Sequence, residues 1–246
     1  MRYFAAGLTA LIAVCGTSCA SRTESPSVTA TSEGQKSEAP AGADVARAGA
    51  ALVRFVNADP SGNPRELWLD DNRLVAGVAY KAITPYFEVR PKVEARYHIR
   101  ETNGLDDLAT TRVEFLAGWH YTLVAAPRKN GRSVLLEVRD DLVQPKPGKS
   151  KVRMINATTD VEDLDLYAAG TKEKIQKGVD ASGSTQFTEV QPGAFEIRPA
   201  RRPLPPRLSK LTAEPDRWVT FIVVGRMGDL DVVSVEDRLN AESASR

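Results

Sequence analysis

The chain has only two cysteines, Cys15 and Cys19, and none after residue 19. Downstream of that point a disulfide framework, a cysteine-ligated zinc site and thiol catalysis are all excluded. Histidine is as scarce: His98 and His120 are the whole complement, and two imidazoles without a third ligand make a weak metal set. Aromatics amount to 7% and the net charge is +1, so nothing in the composition favours nucleic acid or acidic partners. There is no G-x-S-x-G and no glycine loop of the kind that cradles phosphate. Helical periodicity is missing too. The composition points to no cofactor.

What is present is a sequence written twice. Val53-Arg54-Phe55-Val56-Asn57-Ala58 returns about a hundred residues later as Val152-Arg153-Met154-Ile155-Asn156-Ala157, and a repeat of that length means two tandem domains. Later segments keep the order. Gly77-Val78 answers Gly178-Val179, Pro91 answers Pro192, and Tyr97-His98-Ile99-Arg100 answers Phe195-Glu196-Ile197-Arg198. Tyr121 to Val124 answers Val219 to Ile222, and Val138 to Leu142 answers Val235 to Leu239.

In each copy short runs rich in β-branched and aromatic residues alternate with turn clusters. In the first they are Leu52 to Asn57, Glu66 to Asp70, Tyr86 to Arg90, Arg96 to Arg100, Val113 to Phe115, Trp119 to Ala126 and Ser133 to Arg139. Short strands at that spacing predict a β-sandwich. The expected fold is all-β: two antiparallel sandwiches, at 49–143 and 151–240, joined by a proline-stiffened linker at 144–150 and followed by a tail at 241–246. Arg54, in an otherwise apolar strand, is expected at an edge or snorkelling to water.

The start reads as export. Met1-Arg2-Tyr3 is followed by an apolar run from Phe4 to Val14, long enough for a secretory signal and too short for a spanning helix, which needs about 20 residues. Cys19 follows Gly16-Thr17-Ser18, a lipoprotein-type processing site that makes 1–18 a signal peptide. Ordinary cleavage after Ala20 is the alternative. Residues 19–48 hold almost nothing large and apolar, so they are expected to be a disordered tether.

The strands and turns around Val53 to Pro60, Glu66 to Asp71, Gly77-Val78-Ala79-Tyr80 and His120 to Ala125 resemble a bacterial envelope family known as domain of unknown function 4397. The resemblance covers roughly residues 50–240. It implies tandem immunoglobulin-like domains in secreted or lipid-anchored proteins, with no established activity. Asn57 and Asn156 stand where that family often has His, so any role of that His does not carry over. A fainter likeness, of pattern alone, is to the two-domain accessory protein of bacterial alginate acetylation.

Few residues invite chemistry. The Asp pairs at 70–71, 106–107 and 140–141 fall at turns or strand ends, where Asp bonds its own backbone. His98 is expected to point to solvent. Asn57 and Asn156 read as amides that satisfy backbone as a strand leaves its sheet. Gly77 and Gly178 read as positions of positive φ or close approach. Trp68, Trp119 and Trp218 fit packing before carbohydrate stacking. The best functional candidate is the segment Arg198 to Arg207, expected as an exposed basic proline loop, with Arg201, Arg202 and Arg207 facing a polyanion or simply solvated. No catalytic residue and no metal ligand is assigned.

The expectation is therefore a non-catalytic, lipid-anchored protein of the cell envelope, outer-membrane if Cys19 is modified and soluble if it is not. Its role would be structural or binding, with an acidic polysaccharide or an envelope protein as partner. The alternative is an accessory subunit of an envelope polysaccharide-modifying, acetylation-type machinery.

Overall fold

Apart from Arg54 and Asn57, the run Ala51 to Asn57 is apolar on both faces, and the fold supplies the reason. The computed structural model describes residues 49–61, 63–92, 95–200, 208 and 211–237, and among them forms seventeen strands. The first copy contributes β1 (Ala51–Asn57), β2 (Arg65–Leu69), β3 (Asn72–Val78), β4 (Phe87–Val89), β5 (Arg96–Glu101), β6 (Ala109–Arg112), β7 (His120–Pro127) and β8 (Ser133–Asp140). The second contributes β9 (Ser150–Asn156), β10 (Leu164–Ala168), β11 (Lys174–Val179), β12 (Gly183–Ser184), β13 (Thr188–Val190), β14 (Gly193–Pro199), β15 (Leu211–Ala213), β16 (Trp218–Arg226) and β17 (Asp229–Asp237).

Each copy is a two-sheet sandwich with the same strand order. The first has sheets β4-β1-β7-β8 and β3-β2-β5-β6; the second has β12-β9-β16-β17, with β13 also on β9, and β11-β10-β14-β15. Pairing is antiparallel except that β1 runs parallel to β7 and β9 runs parallel to β16. That exception departs from the all-antiparallel expectation. It arises because the chain leaves β1, builds most of the other sheet, and returns to β1's side in the same direction.

The two sheets carrying β1 and β9 are buried on both faces. Val53 and Phe55 point into the core of their own sandwich with Leu67, Tyr97, Ile99, Phe115 and Leu123. Val56, Ala58, Val124 and Val138 point the other way and meet Ile155, Ala157, Ile222 and Val235 of the second copy in a third apolar core. The result is four stacked sheets in one compact unit. A strand covered on both sides has no solvent face to mark with polar residues, hence the unbroken run.

The repeated Asn and Gly belong to one device. Asn57 Nδ2 donates to the Val78 carbonyl (2.9 Å), and Asn156 Nδ2 donates to those of Val179 (3.0 Å) and Val161 (2.8 Å). Their Oδ1 atoms accept from the backbone N–H two residues on, of Asp59 and Thr158. Val78 and Val179 directly follow Gly77 (φ +67°) and Gly178 (φ +64°), whose left-handed backbone favours glycine. Each amide thus staples the end of an inner strand to the end of an outer one.

Two strands were poorly visible in the sequence. β3 is largely exposed and β6 is Ala-Thr-Thr-Arg with alternating exposure, both edge strands with little apolar signal. Val113 and Phe115, expected as a strand, lie just beyond β6 and fill the core from the loop. Arg198 and Pro199, expected in a loop, end β14 instead. The linker is bound to the second sandwich: the Lys146 N–H donates to Glu189 (3.1 Å) and the Gly148 N–H donates to Asp216 (3.0 Å).

Asn156→Ala should strand two buried carbonyls and one N–H, and lower stability by about 1–3 kcal/mol. A urea midpoint unchanged from the parent would show that the staple is dispensable.

Candidate functional site

Arg54 and Arg153 hold the same place in the repeat, and both turn away from their own cores toward the opposing sandwich. Arg54 is 1% exposed and Arg153 1% exposed, so the expectation of a snorkelling edge residue is overturned. The face expected to reach water is covered by the other copy. Arg54 grips Asp237 through both terminal nitrogens, Nη1 to Oδ1 at 2.8 Å and Nη2 to Oδ2 at 3.0 Å. Arg153 Nη2 bonds Asp140 in return. Since Asp140 and Asp237 are themselves repeat counterparts, the contacts form a reciprocal pair about a pseudo-twofold axis.

The supporting groups repeat as well. Arg54 Nε donates to Thr122 Oγ1 (2.8 Å), and Arg153 Nε donates to Thr220 Oγ1 (2.9 Å). The Arg54 guanidinium lies 4.7 Å from the Tyr86 ring centroid, and that of Arg153 lies 4.5 Å from Phe187. One hydroxyl breaks the symmetry: Tyr86 donates to Asp140 (2.8 Å), and Phe187 has none to offer. The Thr122 hydroxyl also reaches Asp140, at 2.8 Å.

The two carboxylates diverge accordingly. Burial works to raise the Asp140 carboxyl, but Arg153, Arg54 and the hydroxyls of Tyr86 and Thr122 outweigh it and hold it below the usual carboxylate range. Burial raises the Asp237 carboxyl and the nearby charge of Asp140 adds to that, so Arg54 does not bring it down. Burial also lifts the Tyr86 phenol well above its ordinary value. Asp140 stands at a strand end, as expected, but its carboxylate bonds Arg153, Tyr86 and Thr122 and not its own backbone, closed to solvent at the end of β8.

The outer faces of the stack are open and carry a second repeated arrangement. In the first sandwich the Trp68 ring lies 4.8 Å from the Arg100 guanidinium and 5.9 Å from that of Arg73, and its Nε1 donates to Glu66 (3.0 Å), which also accepts from Arg73 (3.1 Å). In the second, Tyr167 lies 4.6 Å from Arg198 and 5.6 Å from Lys174, its hydroxyl donates to Asp165 (3.3 Å), and Asp165 pairs with Lys174 (2.7 Å). An aromatic between two cations, tied by a carboxylate, stands at matching places in different residues. Spacing alone could not announce it.

His98 lies on the outward phase of β5, as expected, yet is fully buried. Trp68 stacks beside it and Asp107 folds over it, with Nε2 3.4 Å from Asp107 Oδ1. Burial is the main reason its imidazole titrates below the ordinary histidine value, against the pull of Asp107. His120 sits on the other sheet, edge-on to Tyr86; the fold does not bring the two histidines together. Trp119 is partly exposed beneath Arg139, and Trp218 is buried. Glu101 and Asp107, in the acidic turn of the first copy, pair with Arg65 and with Arg96 and Arg100.

Cys19, Arg201, Arg202 and Arg207 lie outside the described residues. Among the described residues no group of three or more His, Cys, Asp or Glu could hold a metal ion. Shallow clefts lie among the described residues. One of about 650 Å³ lies between the sandwiches at Arg128, Lys129, Glu162 and Asp180. Another, of about 460 Å³, lies beside Lys174, Glu189 and Phe195. Both mix charges of opposite sign on open surface.

The model of the family described as domain of unknown function (DUF4397) matches residues 51–167 and 150–246. No curated protein matches the sequence. Among solved structures, the TIE protein of Bacillus anthracis is similar at 12% identity and a TM-score of 0.24, over 73% of this chain and 34% of that one. A carbohydrate-binding module of family CBM26 from Eubacterium rectale, solved with maltoheptaose, is similar at 9% identity and a TM-score of 0.23, over 74% and 95% of the two chains. Likeness of that degree carries neither fold nor ligand.

The clamp should respond unequally to loss of its two acids. Asp140 binds its proton less readily folded than unfolded, so it adds stability at neutral pH that is lost as pH falls through the unfolded value of about 3.9 and below. Asp237 has the opposite sign: the folded chain takes up its proton first, so mild acidification from neutrality spares or slightly favours the fold. Asp140→Asn should cost about 3–5 kcal/mol by leaving Arg153 uncompensated, and Asp237→Asn distinctly less. Chemical denaturation at neutral pH decides; equal losses would refute the asymmetry. Tyr86→Phe, which gives the first copy the ring of the second, should lower stability by about 1 kcal/mol.

Proposed function

The chain belongs to the DUF4397 family, which is defined by a domain and not by a reaction, and on that footing we propose that it is a non-catalytic protein of the cell envelope with a binding or structural role. In this reading a lipid on Cys19 holds it to a membrane, and residues 19–48 are the tether. The observation that carries the reading is the clamp. Arg54, Arg153, Asp140 and Asp237 are the kind of buried charged groups that a catalytic site would display, yet they are closed between two sheets, where their effect is to join two sandwiches. What such a body offers a partner is the surface of its two outer sheets; in this reading Arg201, Arg202 and Arg207 are further candidate contacts. A flexible chain of some thirty residues spans about 30 Å on average, enough to carry that surface clear of a bilayer.

Partners in this reading are the membrane, through the anchor, and an acidic polysaccharide or an envelope protein, through the surface. Cys19→Ser should move the protein from the membrane pellet to the soluble fraction. A variant that stays in the pellet, or a mature chain beginning at Ser21, would refute the lipid anchor.

A further inference from the structure

The outer sheets of the two sandwiches share strand order, the aromatic and the carboxylate, but differ in charge. On the first, β5 and β6 place Arg96 directly opposite Arg112, two cations side by side at the edge of the sheet. Arg100 stands on the same face, two positions past His98. Asp107 accepts from Arg100 (2.7 Å) and Arg96 (3.2 Å). Of the face formed by Glu66, Trp68, Arg73, Arg96, Arg100, Arg112 and Asp107, four members are cationic and two anionic. On the second, the positions of Arg96 and Arg112 are filled by Ala194 and Thr212, which face each other in the same register. The fold therefore builds this pair of strands without the arginines.

We infer that the outer face of the first sandwich, centred on Arg96, Arg100 and Arg112, binds an acidic polysaccharide through its carboxylates. This rests on the envelope reading but needs no anchor. The geometry favours a polymer over a small anion: the cations lie side by side on one outer sheet face, along β5 and β6. Guanidinium groups recognise carboxylates by paired, planar hydrogen bonds. Trp68 under Arg100 and Asp107 between Arg96 and Arg100 fix those groups beforehand, so less freedom is lost when a ligand arrives. Thr110, exposed on β6 between the arginine rows, adds a hydroxyl for the sugar.

The second sandwich dictates the test. Arg96→Ala combined with Arg112→Thr installs the pair that the fold already accepts there. The full chain should bind immobilised polygalacturonate, more weakly as salt rises, and should not bind neutral dextran. The double variant should bind polygalacturonate at least about tenfold more weakly, with a thermal midpoint close to the parent's. Arg226→Ser, at the exposed end of β16 on an inner sheet, should leave binding unchanged. The inference is overturned if the parent does not bind, or if the double variant binds equally. It is also overturned if binding is lost only on replacing Arg201, Arg202 and Arg207 by Ser, or if phosphatidylglycerol vesicles are bound and polygalacturonate is not. Because the assay is in solution, its failure leaves the anchor reading to be judged on fractionation alone.

Discussion

Everything in this molecule is arranged around two arginine–aspartate contacts buried between sheets. Taking four charges out of water is expensive, and attraction between partners offsets that only where geometry is good and the remaining donors are satisfied. Here it is: Arg54 meets Asp237 with two parallel bonds, both Nε atoms reach threonine hydroxyls, and each guanidinium has an aromatic ring beside it. The surrounding Val, Ile and Ala side chains supply adhesion but little direction, since apolar surfaces on two sheets can slide. The ion pairs are directional, and a shifted register would bury four charges unpaired. Burial drives the sandwiches together; the charges say where they stop.

The pseudo-twofold makes this an isologous interface folded within one chain: each face carries its own donor, on the first strand, and its own acceptor, at the end of the last. Departures from that symmetry mark where the copies have been free to differ. Tyr86 and Phe187 separate the electrostatics of two otherwise equivalent aspartates. Arg65, buried with Asp59 and Glu101, corresponds to Leu164 in the second core. The outer faces diverge most in charge, on surface that packing does not govern.

The sequence made the tandem sandwiches, most of the strands and the separate backbone roles of the repeated Asn and Gly legible, because each leaves a periodic or repeated mark. It did not make the interface legible, for a physical reason. Alternation reports one buried face per strand, and β1 and β9 bury two, so Arg54 was assigned to water when its outward side met the other copy. The signal was nevertheless there in composite form: an arginine repeated within a wholly apolar strand, and an aspartate repeated at the end of the last strand, each unable to be buried alone. His98 failed differently. Its phase was read correctly, but the cover came from Trp68 on the next strand and Asp107 in a loop, and no local pattern encodes either. β3 and β6 were faint because edge strands bury little.

The stack also determines which surfaces are available. Sheets pack about 10 Å apart, so the first and fourth layers lie about 30 Å apart and face opposite ways. The chain enters through Gly49 and Ala50 into β1, which belongs to an inner layer, and the linker crosses to β9, in the other inner layer. Entry and crossover are thus both confined to the middle of the stack. That placement allows the outer faces to differ: neither is needed to hold the sandwiches together, so a change such as Arg96 and Arg112 in one copy for Ala194 and Thr212 in the other acts within its own sheet and leaves the clamp untouched.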